Sequence, residues 1–234
     1  MSDLLEAFRN AFRLIVALDP DLVEIVILSL EVSGSALVLA TLLGLPFGAA
    51  IGILRFRGRR LLLVALNSAM GLPPVVIGLL VYLLLSRSGP LGSWGLLFTP
   101  TAMVVAQAVL ITPIVAALTR QAVEDLAHDV DEQLRSLGAA LHQRIVTLLW
   151  EGRFTLATAI LAGFGRAIAE VGAVIIVGGN IAHVTRVMTT AIALETSRGD
   201  LPLALGLGVI LIGLAILVNV CAQGVQELSR RVAV

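Results

Sequence analysis

Five long apolar runs, at about 22–54, 61–86, 98–119, 154–178 and 203–227, are separated by short polar joints and one long polar stretch. Each run is long enough to cross a bilayer as a helix. The polar stretch, 120–153, keeps an apolar stripe at Val123, Leu126, Val130, Leu134, Leu137, Leu141, Ile145 and Leu148. Steps of three and four place these on one side of a helix, with charges on the other sides. Acids come first (Glu124, Asp125, Asp129, Asp131, Glu132) and bases follow (Arg135, Arg144, Arg153), the order a helix dipole favours. Gly138 interrupts the stripe at a cost of roughly 1 kcal/mol relative to alanine, so the pattern predicts two short helices meeting at a bend. Such a knuckle reads either as a solvated linker or as a docking surface for a soluble partner.

The first run is too long for a perpendicular crossing, at about 50 Å against a hydrocarbon core of about 30 Å. A tilt or a bend near Ser33–Gly34 or Gly44–Pro46 is expected. Gly44, Gly48 and Gly52 repeat every fourth residue and predict a smooth face for a neighbouring helix. Glu31 lies inside this run with no assigned partner. Gly71-Leu72-Pro73-Pro74 breaks the second run, because two prolines remove two amide donors. In lipid such a break needs protein or a wet cavity to satisfy the backbone. Pro113 is expected to kink the third run, and Pro202 precedes the fifth. Residues 1–20 form a separate amphipathic segment. Leu4, Leu5, Phe8, Ala11, Phe12, Ile15 and Val16 fall on one face, opposite Asp3, Glu6, Arg9, Asn10 and Arg13. This reads as an interfacial helix or one bound to a partner. Its acids and interrupted apolar run argue against a signal peptide.

Composition narrows the class to an all-α polytopic membrane protein. Mean hydropathy is +1.01, with 58% hydrophobic and 14% charged residues over 234 positions. The continuous runs exclude a β-barrel. Every basic residue is arginine. With the N-terminus outside, ten arginines fall on inner segments (55, 57, 59, 60, 120, 135, 144, 153, 230, 231) and five on outer ones (9, 13, 87, 186, 198). The positive-inside rule then puts the C-terminus and the knuckle in the cytoplasm. Cys221, in an apolar stretch, is expected to be a small core residue. His128, His142 and His183 have no metal-ligand spacing, so no metal site is expected. No phosphate-binding Gly-x-x-x-x-Gly-Lys-Ser/Thr, no Gly-x-Ser-x-Gly elbow and no paired nucleophile and base occurs, so no catalytic residue is assigned.

Glu132-Gln133-Leu134-Arg135-Ser136-Leu137-Gly138, followed by Leu148-Leu149-Trp150-Glu151, resembles the EAA loop of type I ABC importer permeases. The glutamate, the glycine and the spacing match; Gln133, Leu134 and Glu151 depart from the Ala, Ala and Pro of that pattern. Gly71–Gly78, Leu85–Gly92 and Arg166–Ala173 are similar to oxyanion permeases of the molybdate, sulfate and tungstate group. Val177–Ile181 and Thr185–Thr196 look most like tungstate-uptake permeases, with molybdate the near competitor. The resemblance covers roughly 22–228 and implies a five-span transmembrane domain over 21–229, with 120–153 as its cytoplasmic coupling loop. It implies a homodimer, two ATP-binding cassette subunits that carry ATP and Mg, and an extracytoplasmic oxyanion-binding protein. This chain carries no cofactor of its own in that scheme. Glu132, Leu134, Arg135, Leu137, Gly138 and Leu141 would couple it to the ATPase.

Arg166 and Glu170 lie four apart and share a helix face. Charges at that depth pair or line a wet path, so this is either a structural ion pair, the favoured reading, or a contact for the anion. Asn180, Thr185, Arg186, Thr189, Thr190 and Thr196 read as a weak oxyanion funnel or as a polar surface for the binding protein. An alternative puts Thr189 and Thr190 at a gate on the dimer axis. With Pro73, Pro74, Arg166 and Glu170 these are the pathway candidates. A stand-alone secondary transporter is the second functional class; it needs a coupling carboxylate and internal repeats, and only Glu31 and Glu170 qualify as acids.

Overall fold

The computed structural model describes Ser2–Val232, apart from the side chains of residues 2–5, His128, Asp129, Asp131 and 230–232. Expectations placed on Asp3, Leu4, Leu5, Asp129, Asp131, Arg230 and Arg231 therefore fall outside the described side chains. Among the described residues every regular element is helical: α1 Ser2–Val16, α2 Pro20–Ile53, α3 Arg59–Met70, α4 Pro74–Leu85, a short 3-10 turn Gly92–Trp94, α5 Pro100–Ser136, α6 Leu141–Glu151, α7 Arg153–Ile168, α8 Gly172–Gly178, α9 Met188–Arg198 and α10 Leu201–Val232. Three helices are long and apolar enough to cross a membrane: Pro20–Ile53, Pro100–Ala127 and Leu201–Ser229. Two bent pairs, α3 with α4 and α6 with α7, pass the same test only as pairs.

Local chemistry sets the ends. The Asp19 carboxylate accepts from the Asp21 and Leu22 amides at 3.1 and 3.2 Å and starts α2. Pro74 sits in the first turn of α4, where its missing amide costs nothing. At the break before it, Gly71 N donates to Ser68 O at 3.1 Å, Leu72 N to Ala69 O at 3.4 Å and Val76 N to Pro73 O at 3.0 Å. α2 stays helical through both Ser33–Gly34 and Gly44–Pro46, with Pro46 inside it.

One compact unit comprises Leu37–Leu72, Ala108–Gly165 and the chain from Val218 on. The glycine face of α2 lies directly on α5. A Cβ at Gly44 would sit 2.9 Å from Val115, at Gly48 2.3 Å from the Ala116 carbonyl oxygen, and at Gly52 3.0 Å from Val123. Ala49, Val123 and Leu148 form a buried core with Leu126, Val130 and Ile145 around it. Arg59 and Arg120 both pair with Glu124, and Arg59 Nε donates to Ile51 O at 3.1 Å, tying α3 to α2 and α5.

That packing corrects the reading of 120–153. Its first helix is not a separate short one, because α5 continues unbroken from the apolar run to Ser136. Its stripe is not one docking face either: Val123, Leu126, Val130, Ile145 and Leu148 serve the chain's own core. Leu137 and Leu141 remain outside it.

The other unit comprises residues up to Ala36, Pro73–Gln107 and Arg166–Leu217. Within it α4 packs on α8, with Gly78 against Ala173. Ala7 and Ala11 of α1 are buried, and Phe8, Phe12 and Val16 are exposed. The expected fourth run 154–178 is not one helix: it stops at Ile168 and restarts as α8 at Gly172. Cys221 is exposed, not a core residue. It lies on α10, whose apolar window is only 17% buried, so an oily neighbourhood in sequence did not mean an interior position.

Candidate functional site

The expected coupling segment is built around a helix end. Ala139 N donates to Leu134 O and Gly138 N to Arg135 O, each at 3.0 Å, and Gly138 takes φ +75°. This is the paired-bond glycine termination of a helix, in which a left-handed residue satisfies the last carbonyls. Ala140 N then donates to the Gln143 side chain at 2.8 Å and opens α6. The turn leaves Leu137 81% exposed, with Glu132, Arg135 and Gly138 exposed and Leu134 half-buried. Leu141, Val146 and Trp150 of α6 are exposed too. Val146 and Trp150 were absent from the expected coupling set; their i, i+4 spacing opposite the half-buried Ile145 and the buried Leu148 would have revealed them. The α6–α7 pair bends by 76° at Gly152 and returns the chain to the apolar helices.

At Gly138 a Cβ meets nothing within 4 Å, so a substitution is limited by backbone conformation alone. Gly138→Val should cost about 1–3 kcal/mol at the turn while the buried core stays intact. Co-purification with the ATPase subunit should fall and helix content should not. Gly138→Asn, which accepts the left-handed conformation, should be milder.

In the other unit, Glu170 occupies the break between α7 and α8 and is 4% exposed. All of its polar groups are engaged. Its carboxylate accepts from Arg166 and, at 3.1 Å, from Ala173 N; its carbonyl accepts from the Thr189 hydroxyl at 2.7 Å; its amide donates to Ala167 O at 3.1 Å. Gln107 Nε2 also donates to Ala167 O, at 3.1 Å. The break is thus stitched by side chains distant in sequence, and of the hydrogen-bonding side chains there Arg166 keeps the most exposure, 38%. Gln107 was missed, although a buried amide in an otherwise apolar run is the signal for such a residue.

In the segment 180–200 several of the candidate polar side chains are buried and hydrogen-bonded within the chain. Thr185 is buried, donating to Gly178 O at 2.6 Å and accepting from Ile181 N at 3.0 Å. The buried Thr190 hydroxyl accepts from Val187 N at 3.2 Å and caps α9. Asn180 Nδ2 donates to Thr190 O at 3.3 Å. Arg186 lies 3.7 Å from the buried Glu195, which Arg198 also reaches at 3.2 Å. Thr185 and Thr190 spend their hydroxyls on nearby backbone, whereas Asn180 Oδ1 and Arg186 Nε are buried with no hydrogen-bond partner among the described residues; Thr196 is exposed. Ser29, also missed, accepts from Met188 N at 2.8 Å and ties α2 to α9.

His183 Nδ1 lies 2.8 Å from Glu24 Oε2, with Asp21 near enough that the three ligand atoms fall within 4.8 Å of one another. Local spacing could not show this grouping. The hydrogen bond to Glu24, then its charge, raises the His183 pKa above 6.5. A folded-state value above the unfolded one means that the contact stabilises fully below about pH 6.5 and fades as pH rises through the raised value. His183→Gln should therefore lower the melting temperature at about pH 5.5 more than at about pH 8.5.

Residues 44–232 match the binding-protein-dependent transport system inner membrane component family. The tungstate uptake system permease protein of Peptoclostridium acidaminophilum is 41% identical over 97% of this chain and 100% of its own length. A probable anion ABC transporter permease protein of Haloferax volcanii is 41% identical over 85% of this chain and 88% of its own. The tungstate uptake system permease protein of Campylobacter jejuni is 34% identical over 92% and 90%. Apolar helices that leave their surfaces bare, a glycine-terminated hairpin with exposed leucine and tryptophan, and a match over most of the chain agree: this protein is a transport component of the inner membrane and belongs to the binding-protein-dependent transport system inner membrane component family.

Proposed function

We propose that this chain is the membrane-spanning permease subunit of an ATP-driven importer for tungstate. The observation that carries the substrate is the 41% identity with a tungstate uptake permease along that protein's full length. The observation that supports the drive is the α5–α6 hairpin, whose Leu137, Leu141, Val146 and Trp150 have no partner in the chain's own core. An ATPase subunit docks there and hydrolyses ATP with Mg, and Gly138 shapes the docking turn. Two copies pair, with two ATPase subunits on one face and an oxyanion-binding protein on the other. The three long helices, the bent α3–α4 pair and the run 154–178 make five spans, with the N-terminus outside and the C-terminus inside; α1 lies along the interface with Phe8, Phe12 and Val16 toward lipid.

Within the pathway, the Pro73–Pro74 break shapes the path, and Arg166, which first of all pairs with Glu170, is the one side chain we assign to contact the anion. A guanidinium is a strong donor to a tetrahedral dianion. Glu170 beside it keeps the anion from being trapped, since a conduit must release what it binds. Thr185, Thr189 and Thr190 shape the backbone around that path from inside, and Asn180 and Arg186 brace the loop that carries them.

The test is to co-purify the native complex and measure ATP hydrolysis with its binding protein loaded by tungstate, molybdate or sulfate. Tungstate should give the largest acceleration. A larger response to molybdate would reassign the substrate, and no response to any oxyanion would overturn the reading.

A further inference from the structure

A cavity of about 1160 Å³ opens where the end of α2, the start of α3 and both arms of the α5–α6 hairpin meet, all within one compact unit. Among the described residues its charged lining is Arg55, Arg59, Arg135 and Arg144 against Glu124 and Glu132. Glu124 is already committed to Arg59 and Arg120, so it offers little to the others. Arg55 and Arg135 pair with no carboxylate among the described residues. The wall is not purely polar: Ile53 and Leu54 close its α2 side. Just beyond, Leu61 and Val64 of α3 are exposed, as a lipid-facing surface would be.

We infer that this cavity binds a phosphate-type tetrahedral oxyanion, supplied by the headgroup of an anionic phospholipid. Three features favour the amphiphile over a simple ion. The cavity lies at the end of a 34-residue apolar helix, the level at which headgroups sit. Its lining is apolar on one side and cationic on the other. Basic recesses between membrane helices are suited to anionic headgroups, and two guanidiniums with no carboxylate partner among the described residues can grip phosphate oxygens with two parallel donors each. A lipid seated there would join α2 and α3 to the hairpin that the proposed coupling uses, so lipid composition would tune hairpin rigidity.

The test uses the whole complex extracted from membranes containing phosphatidylethanolamine, phosphatidylglycerol and cardiolipin, with retained lipid measured by native mass spectrometry. Anionic lipid should be retained in preference to phosphatidylethanolamine. The double variant Arg55→Ala/Arg135→Ala should lower that retention by about a hundredfold, the loss of roughly two charge-assisted contacts. Arg57→Ala/Arg60→Ala, at two exposed arginines outside the cavity, should retain lipid unchanged and serves as the charge-matched control. Arg55→Lys, which keeps the charge and loses the fork, should fall between. A second arm adds inorganic phosphate or tungstate to delipidated complex. A thermal shift that needs Arg55 and Arg135, without selective lipid retention, would keep the oxyanion site and assign it to the free anion. Equal retention of all lipids by wild type and the double variant, together with no such shift, would overturn the site. Because the readouts are lipid retention and melting, they stand apart from any failure of tungstate transport.

Discussion

Replacing Gly48 by leucine should abolish the folded protein. The position has no room: a Cβ there would stand 2.3 Å from the Ala116 carbonyl oxygen and 2.8 Å from Thr119 Cβ. The first of these is backbone, so no rotamer change relieves it; α2 and α5 must separate. Separation would open the contacts of Gly44 with Val115 and Gly52 with Val123, and would loosen the core of Ala49, Val123 and Leu148. Overpacking by a methylene or two costs about 1–3 kcal/mol where side chains can give way. Here even Gly48→Ala should reach the upper end, about 3 kcal/mol, and leucine should exceed it. Against a typical total of about 5–15 kcal/mol, that is enough to empty the native state. Gly34→Ala on the same helix is the control. Nothing lies within 4 Å of its added Cβ, so it should be neutral or stabilise by up to about 1 kcal/mol. The monodisperse fraction in detergent and the melting midpoint measure both. A Gly48→Leu protein that melts with wild type would mean the helices do not touch there.

Glu170→Ala should be the next most damaging change. It removes the partner of Arg166 and the acceptor for Ala173 N in one step. Breaking a buried pair costs about 3–5 kcal/mol; the partial exposure of Arg166 places the expectation near the lower bound, about 3 kcal/mol. Glu170→Gln keeps an acceptor for Ala173 N and a dipole for Arg166, and should lose about half as much. Arg166→Ala should be milder than Glu170→Ala in stability, because solvent can reach the arginine end of the pair. The distinguishing readout is the anion dependence of ATP hydrolysis. A fall in melting temperature with unchanged half-saturation by the loaded binding protein would mark the pair as structural. A changed anion dependence in Arg166→Ala at normal assembly would mark Arg166 as a pathway contact.

Much of this arrangement is written locally. Glycines four apart announced a close helix contact on α2 without naming α5 as the neighbour, and Gly138 announced the turn. Other features were misplaced because polarity and backbone geometry change at different points. The polar stretch starts near Gln121, but no glycine or proline lies between Pro113 and Gly138, so α5 continues to Ser136. Conversely, the α7–α8 break falls at Ala169-Glu170-Val171 and is held open by Gln107 and Thr189, which are 60 and 19 residues from the atoms they bind. No local pattern encodes such partners. The same holds for His183 and Glu24, 159 positions apart. The threonines of 185–190 looked like ligands because hydroxyls in an oily chain suggest function; here they cap helix ends that sequence alone did not locate.

The most direct measurement is tungstate uptake into proteoliposomes containing this chain, with and without its ATPase subunit and ATP, the loaded binding protein being present throughout. Accumulation should occur only when the ATPase and ATP are both supplied, and should be lost when Gly138 carries valine. Uptake by the chain alone, down a gradient and without nucleotide, would contradict an importer whose power stroke enters through the α5–α6 hairpin.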